Sequence, residues 1–352
     1  VEGLLPFVVA AHHPHRAGAA LADGIEFVDE DDARRLFLGF LEQIDSFDAG
    51  PVTWPENWIS PVVVTFLAGA LLLVGFVANE HFRAQAGKPV LFDLSLFRFK
   101  SFSLGNSAAA ILSLGEFGLV FVLPLFLQAV FGYSAFKTGL LLLPLAIGAF
   151  IGGPTAGLVA TRIGPRRVVS TGMGLEAVAI GVVALLLAPD RSGWTFILPL
   201  FVYGFGVGLA SAQLTSVVLS EVPPRESGQA SGMQSTFRQV GAAVGPALLG
   251  TVLSAGLRSG TADNLAAIPG LPSVAQEGIV EAVAGSAGQV LPALAEQPGS
   301  ELVVAAVSEA FASAARATGF VAVGFVFLGF LLSTQLPDVR YADRTAANPP
   351  DE

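Results

Sequence analysis

Uncharged apolar runs recur along the chain at about 60–79, 103–129, 138–160, 168–189, 194–220, 229–256 and 317–336. Crossing about 30 Å of hydrocarbon as a helix takes roughly 20 residues, so each run is long enough. Inside a bilayer the backbone polar groups must be satisfied within the segment, which makes helices the expected element. The pattern predicts seven complete spans in an all-α polytopic membrane protein. Pro124, Pro144, Pro154, Pro199 and Pro246 fall inside the spans, where kinks are expected and breaks are not. The opening VEGLLPFVVAA has the texture of the end of a further apolar span, so the chain reads as a fragment.

Between the spans the pattern changes. His12 to Ser60 is polar and acidic. Within it, Leu36, Phe37, Phe40, Leu41 and Ile44 follow helical spacing behind an aspartate cap, as expected of a helix lying on a surface. Trp54 and Trp58 precede the first span, where indoles settle at the headgroup level. PVLFDLSLFRFKSF, before the second span, mixes apolar and basic residues and predicts an amphipathic elbow at the inner leaflet. The stretch 257–312 is Ala/Pro/Gly-rich and reads as a long outer loop.

Basic residues set the orientation. Arg83, Lys88, Arg98 and Lys100, then Arg162, Arg166 and Arg167, then Arg225, then Arg340 and Arg344 occupy alternate connections; the short loops opposite hold only Lys137 and Arg191. The richer side is expected to be cytoplasmic, with the C-terminus inside a cell (inner or plasma) membrane. The organisation that follows is 1–59 as a truncated helix end plus an acidic extracytoplasmic segment, and 60–101 as a helix plus the elbow. A six-helix bundle occupies 102–336, with the loop 257–312 outside, and 337–352 forms a cytoplasmic tail.

Composition agrees with this reading and narrows the function. Of 352 residues, 53% are hydrophobic and 13% charged, and the mean hydropathy is +0.68. A soluble domain of this size would not keep that balance. There is no cysteine, and three of the four histidines crowd at His12, His13 and His15, so no metal site or cofactor is expected. The net charge of -10 argues against a nucleic-acid partner. No nucleophile and base pair, phosphate loop or metal spacing points to an enzyme. The expected partners are a small-molecule substrate, protons and the lipid bilayer.

The few ionisable groups inside spans are the candidate chemistry. In the helix after Arg225, Gln234, Arg238, Gly241 and Gly245 share one face at i, i+4, i+7 and i+11. A lone cation in hydrocarbon costs roughly 3 kcal/mol even on a forgiving scale, so Arg238 should turn to protein, water or an anion. Two roles stay open for it: anchoring an inter-helix network, or touching a substrate or a coupling carboxylate. Glu116 is the only ionisable residue between Lys100 and Lys137, and it shares a face with Gly105, Ala109, Leu112 and Ser113. Such a carboxyl is suited to exchanging a proton when water or a cation reaches it; the alternative is a structural carboxyl hydrogen-bonded to a neighbouring helix. For Glu176 an ion-pair or gating role is expected ahead of the alternative, a substrate ligand. Asn106, Gln213 and Gln234 are cavity-lining candidates, or inter-helix hydrogen bonds worth about 0.6 kcal/mol each. Small-residue pairs at Gly148 and Gly152, Gly153 and Gly157, Gly204 and Gly208, and Gly241 and Gly245 predict close helix crossings.

Two motifs carry a resemblance. GLVATRIGPRRVV resembles the loop signature of the major facilitator superfamily, roughly G-x-L-A-D-R-x-G-R-R, with Gly157, Ala160, Arg162, Gly164 and Arg166 matching and Arg167 following; it departs at Thr161, where the family has aspartate. VPPRESGQASGMQSTFRQVGAAVGPALLG is similar to the penultimate helix of the fourteen-helix drug/proton antiporter branch, and Gly241, Gly245, Pro246 and Gly250 echo its glycine-proline motif. The resemblance covers about residues 60–336 and leaves the acidic segment unexplained. It implies the C-terminal half of such a fold, paired with a missing N-terminal half of the same protein, with 157–167 as a gating loop. The activity it implies is export of a hydrophobic or cationic compound in exchange for protons by alternating access. Two rivals remain: a proton-coupled permease for a lipid-like or endogenous metabolite, and a non-transporting membrane scaffold or sensor.

Overall fold

The computed structural model describes residues 61–86, 90, 92–269, 271–297 and 299–337. The acidic segment, the pattern at 31–44, Trp54 and Trp58, Lys88 and the tail with Arg340 and Arg344 lie outside the described residues. Among the described residues every regular element is helical. In order these are α1 (Pro61–Gln85), α2 (Lys100–Ala129), α3 (Ala135–Ile163), α4 (Pro165–Leu186), α5 (Ile197–Val218), α6 (Ser227–Ala266), α7 (Ser273–Gly285), α8 (Leu291–Ala295) and α9 (Glu301–Ser333), with short 3-10 turns at Leu94–Arg98, Gly193–Phe196 and Pro224–Glu226.

Six helices, α2 to α6 and α9, are long and apolar enough to cross a membrane by length and composition. The 60–79 run lies on α1, whose residues 67–79 are exposed all round. An apolar helix uncovered on every side suits a lipid surface or a further partner, and not water. Pro124, Pro144, Pro154 and Pro246 are carried inside unbroken helices.

Residues from Leu73 onward form one compact unit. In it α5 packs extensively on α3 and α4, α2 on α6, and α9 against α2, α6 and α4. Glycine contacts set how close these helices come. A Cβ on Gly204 would fall against the Leu145 carbonyl of α3, with that carbon at 2.7 Å, and one on Gly208 would lie 2.5 Å from the Ala149 carbonyl oxygen. Gly241 and Gly245 of α6 similarly meet the carbonyls of Ala110 and Leu114 on α2. Because 110 pairs with 241 and 114 with 245, α2 and α6 run parallel. The expected close crossings hold for three of the four pairs. Gly153 and Gly157 have only open space where a Cβ would project.

The stretch 257–312, expected as a loop, is mostly helical. α6 continues to Ala266, α9 begins at Glu301, and α7 and α8 lie between. Alanine is the strongest helix former, and the segment's alanines outweigh its glycines and prolines over most of its length. At 1.5 Å per residue α6 runs about 60 Å and α9 about 50 Å, well beyond an apolar slab of about 30 Å. Asn264, whose Nδ2 donates to the Ala306 carbonyl at 2.9 Å, ties the two extensions together, and Phe311 packs on Phe126 of α2 with centroids 5.7 Å apart. Gly288, at φ +80°, turns beneath the Phe311 ring where a side chain would collide.

The elbow also differs from expectation. Part of its apolar side faces the bundle: Leu96 is fully buried, and the Phe92 and Phe97 rings sit 6.5 and 5.8 Å from Phe237 of α6, while Leu94 stays exposed. Asp93 caps its 3-10 turn by accepting from Ser95 N at 2.8 Å, and Glu80 of α1 accepts from Phe92 N at 3.0 Å. Gln229 of α6 donates to the Val90 carbonyl at 2.9 Å. The aromatic residues that could have entered a leaflet therefore join α1 to α6.

Candidate functional site

The polar residues of the bundle collect around one turn of α5. In ILPLFVYGFGVGLASAQLTSVV, Gly204 and Gly206 are two residues apart and so point about 200° apart around the helix. Gly204 takes the backbone of α3 on one side. Gly206 takes α4 on the other, where its missing Cβ would lie 2.7 Å from the Gly172 carbonyl oxygen and 2.9 Å from Glu176 Cγ. Tyr203, fully buried, donates its hydroxyl to the backbone carbonyl of Glu116 on α2 at 3.2 Å. Three helices thus converge on this turn because glycines leave them room.

Glu176 is fully buried, and neither of its carboxyl oxygens has a hydrogen-bond partner among the described residues. Glu116 is half-buried, and its Oε2 is shielded and likewise unpartnered. Buried polar atoms are nearly always paired, so exceptions ask for a function. Arg238 is half-buried, and no side-chain hydrogen bond holds it among the described residues. The contacts of Gly241 and Gly245 put Arg238 at the level of Ser107 on α2, toward the N-terminal end of both helices from Glu116. No ion pair joins Arg238 to either acid among the described residues.

The amides line the same interior. Gln234 is buried and its Nε2 donates to Thr215 Oγ1 at 3.1 Å, joining α6 to α5. Asn106 bonds its own helix, Nδ2 to the Phe102 carbonyl at 2.8 Å, and leaves Oδ1 unpartnered; Gln213 Oε1 and Ser113 Oγ are also buried and unpartnered. Tyr203 and Gly206 were not singled out by the sequence. The available signal was a tyrosine in an apolar run, because a buried hydroxyl needs a partner.

The loop after α3 serves a different end of the bundle. Gly164, at φ +87°, is both the cap of α3 and the start of α4, a conformation that few residues besides glycine accept. Arg166 donates to the Thr334 carbonyl at the C-terminus of α9, where a cation complements the helix dipole. Ser170 and Ser333 hydroxyls add a bond of 2.9 Å beside it. Arg162 and Arg167 are exposed, and Gly157 faces open space. In the second motif, Gly241 and Gly245 make the α2 contact. Pro246 stays within the helix, and Gly250 is in ordinary contact range of the Phe121 ring.

A bundle of six apolar helices enclosing two acids and a guanidinium defines a polytopic membrane protein with an intramembrane polar centre. Residues 44–246, more than half of the chain, match the Major Facilitator Superfamily, and the chain belongs to that family. It is 32% identical to the probable actinorhodin transporter of Streptomyces coelicolor over 202 residues, covering 56% of this chain and 35% of that protein. It is 30% identical to the multidrug resistance protein Stp of Mycobacterium tuberculosis over 230 residues, or 64% of this chain and 42% of Stp. Over 212 residues it is 30% identical to the multidrug efflux pump LfrA of Mycolicibacterium smegmatis, which is 59% of this chain and 42% of LfrA. The matched stretch therefore spans roughly two fifths of these relatives' length.

Proposed function

We propose that this chain forms the C-terminal half of a secondary transporter that exports hydrophobic or cationic compounds in exchange for protons, by alternating access against a second bundle. The observation that carries this reading is Glu116, a half-buried carboxyl in mid-helix whose Oε2 has no partner. A group placed this way exchanges a proton when a crevice opens to it. The similarity to a multidrug efflux pump and a multidrug resistance protein, beside the probable actinorhodin transporter, supports export over uptake.

In this reading Arg238 supplies a fixed positive charge, and Asn106, Gln213 and Gln234 offer polar contacts along the crevice. Arg162, Arg166 and Arg167 lie on the cytoplasmic side with the C-terminus. Arg166 holds the α3–α4 loop to α9 in one state and releases it in another. The uncovered faces of α1 and α3 meet lipid and the second bundle.

Everted membrane vesicles carrying the full-length protein test the direction. A lipophilic cationic dye is expected to accumulate inside when a proton gradient is imposed, and to leak out when the gradient is collapsed. Accumulation indifferent to the gradient, or dye driven out of the vesicles, would count against proton-coupled export.

A further inference from the structure

The elbow between α1 and α2 holds α6 through contacts outside the polar centre. Its Phe92 and Phe97 rings stand 6.3 Å apart, and both lie on Phe237 of α6, at 6.5 and 5.8 Å. Phe76 of α1, 6.4 Å from Phe92, and Phe102 of α2, 5.3 Å from Phe97, extend the cluster. Polar bonds flank the rings. Gln229 of α6 donates to the Val90 carbonyl at 2.9 Å, and the buried Glu80 of α1 accepts from Phe92 N at 3.0 Å. The end of α1, the elbow and the first turns of α6 are thereby joined at one place.

The contacts that hold α6 differ in how readily they part. From Gly241 onward its backbone lies against the Ala110 and Leu114 carbonyls of α2, a close-packed seam with little room to slide. The start of α2 is fixed as well: Ser101 N donates to a Glu221 carboxylate oxygen at 2.8 Å, and Ser101 Oγ to the Val218 carbonyl at 3.3 Å. The turns of α6 before Gly241 carry the Gln234 bond to Thr215 and the elbow contacts. Phe92, Phe97 and Phe237 are all half-buried, and their rings meet at tilted or edge-on angles. Such a joint separates without disturbing the glycine seam. Around α6, Gln229 and Phe237 lie about 80° apart on the elbow side. The opposite side, with Gly232, Ser235 and Gln239, is exposed, so these turns have open space to move into.

We propose that α1 and the elbow form a clasp on α6, closed in this structure, that opens at Phe237 in each transport cycle and lets the turns before Gly241 tilt. Gln234 and Arg238 ride on those turns, so the clasp sets when they meet the crevice. Two arrangements of a packed element with a small gap between them are the usual basis of such a switch. The inference rests on the alternating-access reading and adds a moving part to it.

The test uses the full-length protein in a cysteine-free background. In the Phe97→Cys, Phe237→Cys double variant, a short reducible thiol cross-linker should stop proton-driven ethidium transport into everted vesicles, and reduction should restore it. Equal transport by the cross-linked and reduced forms would overturn the clasp. A second measurement leaves the rings intact: spin labels on Leu94→Cys and Ser235→Cys, both exposed positions, report the elbow to α6 distance. Two distances are expected, with the longer one enriched by ethidium and by Phe97→Ala. One distance, unchanged by either, would overturn the clasp. Should Phe97→Ala not fold, Gln229→Ala removes only the Val90 bond and should enrich the longer distance roughly twofold to tenfold, the effect of losing one hydrogen bond. If the distances switch with ethidium while vesicles show no proton-driven uptake, the clasp stands and proton-coupled export falls.

Discussion

Glu116→Gln is expected to reduce proton-driven transport to the level of vesicles lacking the protein, while the purified variant melts at the wild-type temperature. The two halves of this expectation have separate causes. Glutamine keeps the shape but cannot release a proton, so an exchange that needs an ionisable group stops. The carboxyl's shielded Oε2 makes no hydrogen bond among the described residues, and the nearby helix contacts run through other groups. Tyr203 bonds the backbone carbonyl there, Gly115 lies against Val326, and Gly118 lies against Leu249. Transport under an imposed proton gradient and thermal unfolding in detergent measure the two halves independently. Wild-type transport in a folded variant would remove Glu116 from the mechanism. A parallel loss of folding and transport would make it a structural carboxyl.

The second large effect concerns helix packing. Gly204→Ala should destabilise the bundle by about 1–3 kcal/mol, the usual range for forcing extra volume into a close contact. The obstacle is backbone: the added methyl meets the Leu145 carbonyl, and Leu145 Cα at 2.9 Å, so no rotamer change relieves it. α3 and α5 would have to separate along their whole glycine seam. Gly153→Ala, in an identical small-residue spacing one helix away, projects into open space and should cost much less. Unfolding midpoints of the two variants in detergent give the comparison. Equal losses would show that the glycine contacts are not what sets the helix separation.

That contrast also shows what the sequence could and could not disclose. Hydropathy located the helices because the demand for apolar length is local; of the seven runs read as spans, six lie on helices long and apolar enough to cross a membrane, and the 60–79 run on α1 is not among them. The buried position of Glu176 and the half-buried positions of Glu116 and Arg238 followed from the cost of charge in hydrocarbon. Spacing alone could not tell Gly204 and Gly208 from Gly153 and Gly157, since the difference lies in whether a neighbour stands where each Cβ would project. The Tyr203–Gly206 turn was hidden for the same reason. It matters because α2 and α4 meet it, and neither contact is written in α5. The helical cap at 257–312 was missed on composition: scattered prolines and glycines suggested a loop, while runs such as EAVAG and EAFASAARA favour helix; Phe311 packs on Phe126, and Gln289 donates to the Leu125 carbonyl. Spacing in the elbow likewise could not disclose that Phe92 and Phe97 meet Phe237 of α6.

The central claim is that Glu116 and Arg238 face a water-filled crevice that opens during transport. The chain contains no cysteine, so a single introduced thiol is the only one it supplies. Only the thiolate reacts, and thiolates form where water reaches. With cysteine placed at 116, at 238 or at the outward-facing Val178 of α4 in the full-length protein, a membrane-impermeant maleimide should label 116 and 238, with rates that change when substrate is added, and should leave 178 unlabelled. Labelling at 178 with none at 116 or 238 in folded protein would contradict the account.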